Sequence, residues 1–477
     1  MVEGRRRYVD AMRGILAHGA HVPYRRLDRG DITAFFGSGG GRGTRAVASF
    51  DEDTTSMGAE AARNTMRSVT ATPDQIWFAT TDPAYLDRTN ATAIHAVLRL
   101  PASSSAVDML GSQRSGVAAL RNALTGRGST LVVTSDIRMS QPTGAEEAAG
   151  GDGAAAILVG DSDRSDVLAT LVGSAAATAE FVDRWRSPGE SRSKGWDDRF
   201  SEMEYVPLAD QAWKQALADA DLTPADIDLA VVTGLHARSV KRLGGMLGVD
   251  RISPDLTDTI GNTGTAHPAL LLSAALEQAA PDQVIALVVL ADGAEVLLFR
   301  TQAALATHAP HRPVSDQIAA GGAVSYAKFL SWRGLVSPEP PRRPTPDRPS
   351  ASAAARNHDW KFGFVASRDR QSGALHMPPA RASIRGGTVD DMEPVPMADA
   401  LGTVVTYTID RLAYSVNPPI VFAVVDFDGG GRMPVELTDV DPDDIAIGDR
   451  VEMTFRRLYV ADGISNYFWK GRPVRGS

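Results

Sequence analysis

Residues 107–124, VDMLGSQRSGVAALRNAL, decide how the chain is read. VDML is a short apolar run, GSQRSG a turn of small residues, and VAALRNAL a helix with few polar positions, buried on most sides. A glycine-rich turn that opens a buried helix aims backbone N–H groups and the positive end of the helix dipole at one point. That point suits a thiolate or an oxyanion. The residue placed there is Gln113, flanked by Ser112 and Ser115.

The chain contains no cysteine, which excludes disulfides, thiolate–metal sites and thiol catalysis together. A glutamine amide is not a nucleophile at any accessible pH, and either serine would need an activating base in contact. Small-residue turn packing is the plainer reason for Ser112 and Ser115. At 477 residues the chain is long enough for two or three domains. Its 43% hydrophobic and 22% charged residues suit a globular protein with a sizeable core. A formal net charge of −9 leaves no basic footprint for nucleic acid. No apolar run reaches membrane-spanning length, and MVEGRRRYVDAMRG carries no apolar stretch behind its basic residues, so a cytoplasmic protein without a signal peptide is expected.

The 107–124 stretch resembles the nucleophile turn of 3-hydroxy-3-methylglutaryl-CoA synthases and ketoacyl synthases III, thiolase-superfamily enzymes in which a cysteine precedes the glycine and the small-residue helix. Gln113 stands at the cysteine position. GTRAVASFDEDTTSMGAEAARNTM, residues 43–66, resembles the same family's R-A-V-x-x-x-D-E-D-x-x-x-M-x-x-E-A-A segment; locally it is a helix with an acidic, hydroxyl-rich cap. After the strand QIWFAT the family carries a glutamate general acid/base. The matching position is Thr81, with Asp82 beside it, and a shift of one residue at a strand end turns a side chain away. Asp82 is therefore expected as a turn residue before Pro83. EEAAGGDGAAAILVG, residues 146–160, matches a packing and dimer-core segment.

His236 follows the strand AVVTGL, where open α/β sheets place functional loops, and it falls at the family's acid/base histidine. Gly261-Asn262-Thr263-Gly264 resembles the G-N-T turn whose asparagine polarises a thioester carbonyl. Arg238, Lys241 and Arg242 follow His236 at helical spacing, as contacts for CoA phosphates or as a solvated basic face. The polar region 183–205, with Trp185 and Trp196, reads as a long excursion near the substrate entrance or as a surface loop, and the surface loop is expected.

The resemblance implies a thiolase-like duplicated αβαβα five-layer α/β fold over residues 1–305. Its two buried helices lie at 117–124 and 267–278, and a homodimer buries the strand STLVVTS against its mate. Residues 306–357 read as a short amphipathic helix and a Pro/Arg/Ser tract, a stiff linker. Residues 358–390 resemble the zinc ribbon of a small acyl-CoA-associated family. Its ligand positions hold Asp369, Ser372, Ser383 and Gly386, which cannot make a four-coordinate zinc site, so a metal-free ribbon is expected. Residues 391–477 alternate as an OB-fold barrel.

Histidine and asparagine are kept, while cysteine and glutamate are lost. Loading ketosynthases with glutamine at the cysteine position decarboxylate malonyl thioesters. By that resemblance the expected activity is enolate chemistry on an acyl-CoA or acyl-carrier-protein thioester. It would form or break a C–C bond, or decarboxylate, with no acyl-enzyme and no cofactor beyond the thioester substrate. The expected catalytic set is Gln113, His236 and Asn262, with Asp82, Ser112 and Ser115 as further candidates. Thr81, Gly264 and the three cations after His236 would lie on the substrate side. No nucleic-acid or membrane partner is expected. The alternatives are a catalytically silent scaffold for a partner synthase and a serine-based acyltransferase.

Overall fold

The computed structural model describes residues 12–162 and 165–475; the basic start read above, up to residue 11, lies outside the described residues. The first half of the large domain runs β1 (Met12–His21), β2 (Arg25–Asp28), α1 (Arg29–Phe36), β3 (Thr44–Val47), α2 (Thr54–Met66), β4 (Gln75–Thr80), α3 (Ala91–Val97), β5 (Ser105–Leu110), α4 (Gln113–Thr125), β6 (Thr130–Asp136), α5 (Ala145–Ala149) and β7 (Gly153–Ser162). The second runs β8 (Ala169–Ala177), β9 (Arg184–Trp185), β10 (Lys194–Gly195), α6 (Asp198–Ala220), β11 (Leu229–Gly234), α7 (Ala237–Gly244), α8 (His267–Leu276), β12 (Val284–Leu290) and β13 (Ala294–Thr301).

Nine strands join in the order β11-β12-β13-β8-β1-β7-β6-β4-β5, and the halves meet through one pairing, Ile15 with Ala169. On either side of that joint the plan repeats. β1-β7-β6-β4-β5 answers β8-β13-β12-β11, and a parallel bridge from Ala230 to Ile252 stands where a fifth strand of the second half would lie.

Strand pleating sorts the core into layers, because alternate side chains face opposite sides of a sheet. Leu131, Val133, Ala156 and Leu158 pack with α2 residues Met57 and Ala61. Their neighbours Val132, Ile157 and Val159 face inward onto Leu120 of α4 and Leu271 of α8, a layer closed from the other half by Leu287 and Phe299. Val288, Val296 and Leu298 point away from that layer onto Ala209 and Trp213 of α6. The result is helix, sheet, paired helices, sheet, helix. The helices expected at 117–124 and 267–278 form the central pair.

The strand STLVVTS does not fit the role of a dimer strand. As β6 it is hydrogen-bonded to β4 on one side and β7 on the other, so it has no free edge. The open edge belongs to β5, where Val107 and Leu110 are exposed.

The short helix expected in this stretch is present, and residues 306–334 pack against the large domain. α9 (Val314–Ala319) is followed by β14 (Gly322–Ala323), which pairs with β2, and by α10 (Tyr326–Trp332). Tyr326, Phe329 and Leu330 bury against Leu27, Ile32 and Val47. Residues 333–350 then run without helix or strand. After α11 (Ala351–Arg356) and α12 (His358–Lys361), the ribbon is built from β15 (Val365–Asp369), β16 (Leu375–His376) and β17 (Met392–Pro396). β17 pairs along the whole of β15, so the ribbon extends to residue 396 and not 390. β18 (Gly402–Asp410), β19 (Ile420–Phe427), β20 (Arg432–Leu437), β21 (Arg450–Ala461) and β22 (Ile464–Pro473) close a five-stranded barrel.

The barrel seats on the Asp51-Glu52-Asp53 segment. Asp53 caps α2 and forms a capping box with Ser56, the role its sequence suggested. It also accepts a 2.6 Å hydrogen bond from the Tyr467 hydroxyl. Glu52 lies 2.6 Å from Arg456, which reaches Asp439 at 2.7 Å, and Asp51 lies 2.9 Å from Lys470. All of these charged side chains are nearly inaccessible to solvent. Burial of that many charges is tolerable only because each is paired and hydrogen-bonded.

Candidate active site

The C-terminal ends of β4, β5, β6, β11 and β12 open onto a cavity of about 700 Å³, lined by Thr81, Leu110, Arg138, Leu235 and Ala291 from those ends. Parallel strands place ligand sites there, since the loops leave the sheet at that edge and helix N-termini converge on it. The N-terminus of α4 enters the floor. Ser112 is its N-cap, accepting from the Arg114 N–H at 3.2 Å, and Ser115 completes a capping box while its hydroxyl donates to the Leu110 carbonyl at 3.1 Å. Both serine hydroxyls are thus committed to closing the first turn.

Gln113 is 2% exposed and lines the cavity. Its Nε2 donates to the Gly264 carbonyl at 2.9 Å, while its Oε1 is buried without a hydrogen-bond partner. Asn262 continues the chain of bonds: its Oδ1 accepts from the Gly264 N–H at 3.0 Å and its Nδ2 donates to the Gly234 carbonyl at 2.9 Å. Glutamine, turn and the end of β11 are therefore tied in series. Gly264 has φ of +61°, and a Cβ there would lie 2.3 Å from Asp136 Oδ2, so glycine is required twice over.

Asp136, at the end of β6, organises the opposite wall. Oδ1 accepts from the Thr81 N–H at 2.7 Å and from the Thr80 and Thr81 hydroxyls, and Oδ2 accepts from the Thr265 N–H at 2.6 Å. Asp82 lines the cavity without capping a helix; α2 is capped by Asp53 and α3 begins at Asn90. Burial, reinforced by the Asp136 carboxylate, raises the Asp82 carboxyl to about 6, although Arg186 at 4.0 Å opposes the shift.

Of the expected residues, Thr81, Asp82, Ser112 and Gln113 line the cavity together. Asn262, Gly264 and Ser115 support it through the bonds given above. His236 sits one residue past Leu235 of the wall and caps α7: its Nδ1 accepts from the Ser239 N–H at 3.3 Å, and its Nε2 stands 3.5 Å from Asp198 Oδ1. Arg238 and Arg242 are exposed and pair with Glu202, and Lys241 is exposed, so these three form the solvated basic face of α7.

The region 183–205 differs from the expected surface loop. Arg184, Trp185, Arg186 and Ser187 line the cavity. Arg184 pairs with Glu146, and Arg186 donates to the Thr81 carbonyl. Sequence reasoning also missed Asp136 and Arg138. Their signal was available, in that an Asp-x-Arg directly after a buried parallel strand occupies the functional edge of the sheet.

In the ribbon, three of the four positions singled out in the sequence, Asp369, Ser372 and Ser383, come together. Ser372 donates to Asp369 and stands 3.5 Å from the Ser383 hydroxyl, and hydrogen bonds from both serines hold the Asp369 carboxyl at about 2. Gly386 turns with φ of +80°.

Comparison with known proteins places this geometry. Residues 395–456 match the family described as the ChsH2 C-terminal OB-fold domain. The chain is similar to a hydroxymethylglutaryl-CoA synthase of Thermococcus sibiricus, 28% identical over 293 residues, covering 59% of this chain and 83% of the relative. A second such synthase, from Archaeoglobus fulgidus, is 27% identical over 349 residues, covering 68% of this chain and 99% of the relative. Among solved structures, an MvaS protein in complex with 3-hydroxy-3-methylglutaryl coenzyme A superposes with a TM-score of 0.57 at 20% identity, over 72% of this chain and 95% of that one. The 3-oxoacyl-(acyl carrier protein) synthase III FabH of Pseudomonas aeruginosa gives 0.54 at 17% identity, over 61% and 98%. The fold is thiolase-like, the large domain is similar to hydroxymethylglutaryl-CoA synthases, and an OB-fold domain follows it.

Proposed function

We propose that the cavity above Gln113 binds an acyl-CoA or acyl-carrier-protein thioester and transforms it through an enolate, with no covalent acyl-enzyme. The carrying observation is the floor of the cavity: a glutamine amide, not a nucleophile, sits at the N-terminus of α4 with one amide hydrogen fixed on Gly264 and its carbonyl oxygen unpaired. The second Nε2 hydrogen and the dipole of α4 favour negative charge on a thioester oxygen held there. Asp82, with its carboxyl raised to about 6, is mostly ionised at neutral pH and is the proton acceptor. His236 and Asn262 are supporting groups on this account, holding α7 and the Asn262–Gly264 turn in place. The similarity to hydroxymethylglutaryl-CoA synthases, and to a structure in complex with 3-hydroxy-3-methylglutaryl coenzyme A, supports the substrate class.

The protein works as a homodimer joined at β5, its open edge, and its ribbon is held by hydrogen bonds without zinc. The test is incubation with acetyl-, malonyl- and acetoacetyl-CoA, singly and in pairs, followed by product analysis. A new or shortened acyl product supports the proposal, and unchanged thioesters in every mixture overturn it. A second reading, a silent acyl-binding scaffold, is favoured by one observation: both functional ends of Asn262 are spent on backbone groups. Binding of an acyl-CoA without turnover is its signature.

A further inference from the structure

The cavity holds more positive charge than the chemistry at Gln113 uses. Arg138, Arg184 and Arg186 all line it. Arg186 is committed to the Thr81 carbonyl and faces Asp82; Arg184 is committed to Glu146. Among the described residues the Arg138 guanidinium makes no ion pair or hydrogen bond; only its backbone is engaged, with Asp152 and Arg45. Of the carboxylates that line the cavity, Asp292 is exposed and makes no ion pair among the described residues, and the others are occupied. Glu190 pairs with Lys194, Asp183 faces the Tyr205 hydroxyl, and Asp136 is filled by Thr80, Thr81 and Thr265. Burial, together with the nearby cations Arg138 and Arg186, lowers Arg184 to about 9, a sign that the arginines repel one another across a partly dry space. Such a cluster is relieved by an anion, and a guanidinium matches a carboxylate bidentately.

The position of Arg138 says which part of a thioester would carry that anion. Its side chain passes so close to Gly264 that a Cβ there would lie 3.0 Å from Arg138 Cδ, and the Gly264 carbonyl is the group that holds Gln113. Arg138 therefore serves the reacting end of the cavity. The phosphate of a phosphopantetheine arm lies a full arm's length from its thioester and cannot be there when the thioester is at Gln113. We infer that Arg138 is a specificity-determining residue that takes the free carboxylate of a carboxyacyl thioester, of the malonyl or 3-hydroxyglutaryl kind, with Arg184 and Arg186 shaping the pocket around it.

This inference rests on the thioester reading of the same cavity, and the experiment separates the two. Isothermal titration of the full chain with malonyl-CoA and with acetyl-CoA measures the ratio of their affinities. The expected result is a ten- to hundredfold preference for malonyl-CoA, the range of about one good charge-assisted pair, falling to near one in Arg138→Gln. The wild-type ratio alone can overturn the inference, whatever the variant does. Equal affinities, or a preference that survives Arg138→Gln, sink the role of Arg138 and leave the thioester reading standing. No binding of either compound sinks both.

Discussion

Gln113 donates from Nε2 to the carbonyl oxygen of Gly264 at 2.9 Å. This bond ties the helix that opens the first buried unit to the turn that opens the second. A cysteine side chain is too short to make it. The glutamine is thus both a strut between the two halves of the fold and the chemical floor of the cavity.

Replacing Gln113 by cysteine removes the strut and restores a thiol at a helix N-terminus, where its pKa falls. Loss of the hydrogen bond costs about 1 kcal/mol of stability, readable as a small drop in Tm. Intact-mass spectrometry after incubation with acetyl-CoA is expected to show one acetyl group on Gln113→Cys and none on the parent. An unmodified variant would mean that the cavity does not deliver a thioester to this residue.

With Asp82 as the proposed proton acceptor, the rate is expected to depend on pH. The Asp82 carboxyl is raised to about 6, so as the proton acceptor it becomes active as pH rises through about 6. The rate at low substrate is expected to climb across that pH and level off above it. Asp82→Asn should abolish the acidic limb and lower the rate on the order of a hundredfold or more. A limb that persists in the variant assigns it to another group.

The seam between barrel and large domain is expected to fail in acid. Burial alone would raise Asp439, but Arg456 and its neighbouring arginines outweigh it and hold the carboxyl at about 2. A depressed carboxyl contributes stability that is complete above its unfolded value, roughly 4, and lost as pH falls toward the folded value. Denaturant titrations at pH 5 and pH 3 should differ in midpoint, with the loss at the lower pH. Arg456→Met removes the cation that Glu52 and Asp439 share and should cost roughly 3–5 kcal/mol.

His18 gives a second, separable pH effect. Both ring nitrogens are buried without a partner, and its ring centroid lies 5.1 Å from that of His308. Burial, with His308 adding to it, lowers its pKa to about 3. Below about 6.5 the unfolded chain binds a proton that the folded chain refuses, so stability falls as pH drops from there toward 3, at up to about 1.4 kcal/mol per pH unit. His18→Leu should flatten the Tm profile between pH 7 and 5. An unchanged slope would show that other groups carry it.

Much of the large domain was legible because its elements are long and strongly patterned. β12 is an unbroken apolar run, β6 and β7 are built around the apolar cores LVV and AAAILV, and α4 and α8 are apolar helices behind glycine turns. What was not legible depends on partners distant in sequence. Nothing local distinguishes β6 from an edge strand; only its pairing with both β4 and β7 does. Asp51-Glu52-Asp53 reads locally as a cap, while the cations that bury it come from Arg456 and Lys470 some 400 residues later. Asp82 does sit in the turn its register suggested, just past the end of β4 at Thr80, but that turn borders the cavity, which the register of a single strand does not tell. His236 matched its motif in sequence, yet its Nδ1 is spent on capping α7.

The central claim is catalysis of thioester chemistry without an acyl-enzyme, and intact-mass spectrometry during turnover tests it most directly. The protein is mixed with malonyl-CoA, and samples taken as product accumulates are split between protein mass and small-molecule analysis. The account predicts product formation with the protein at its unmodified mass at every time point. A transient acyl mass that maps to Ser112 or Ser115 and decays as product appears would contradict it.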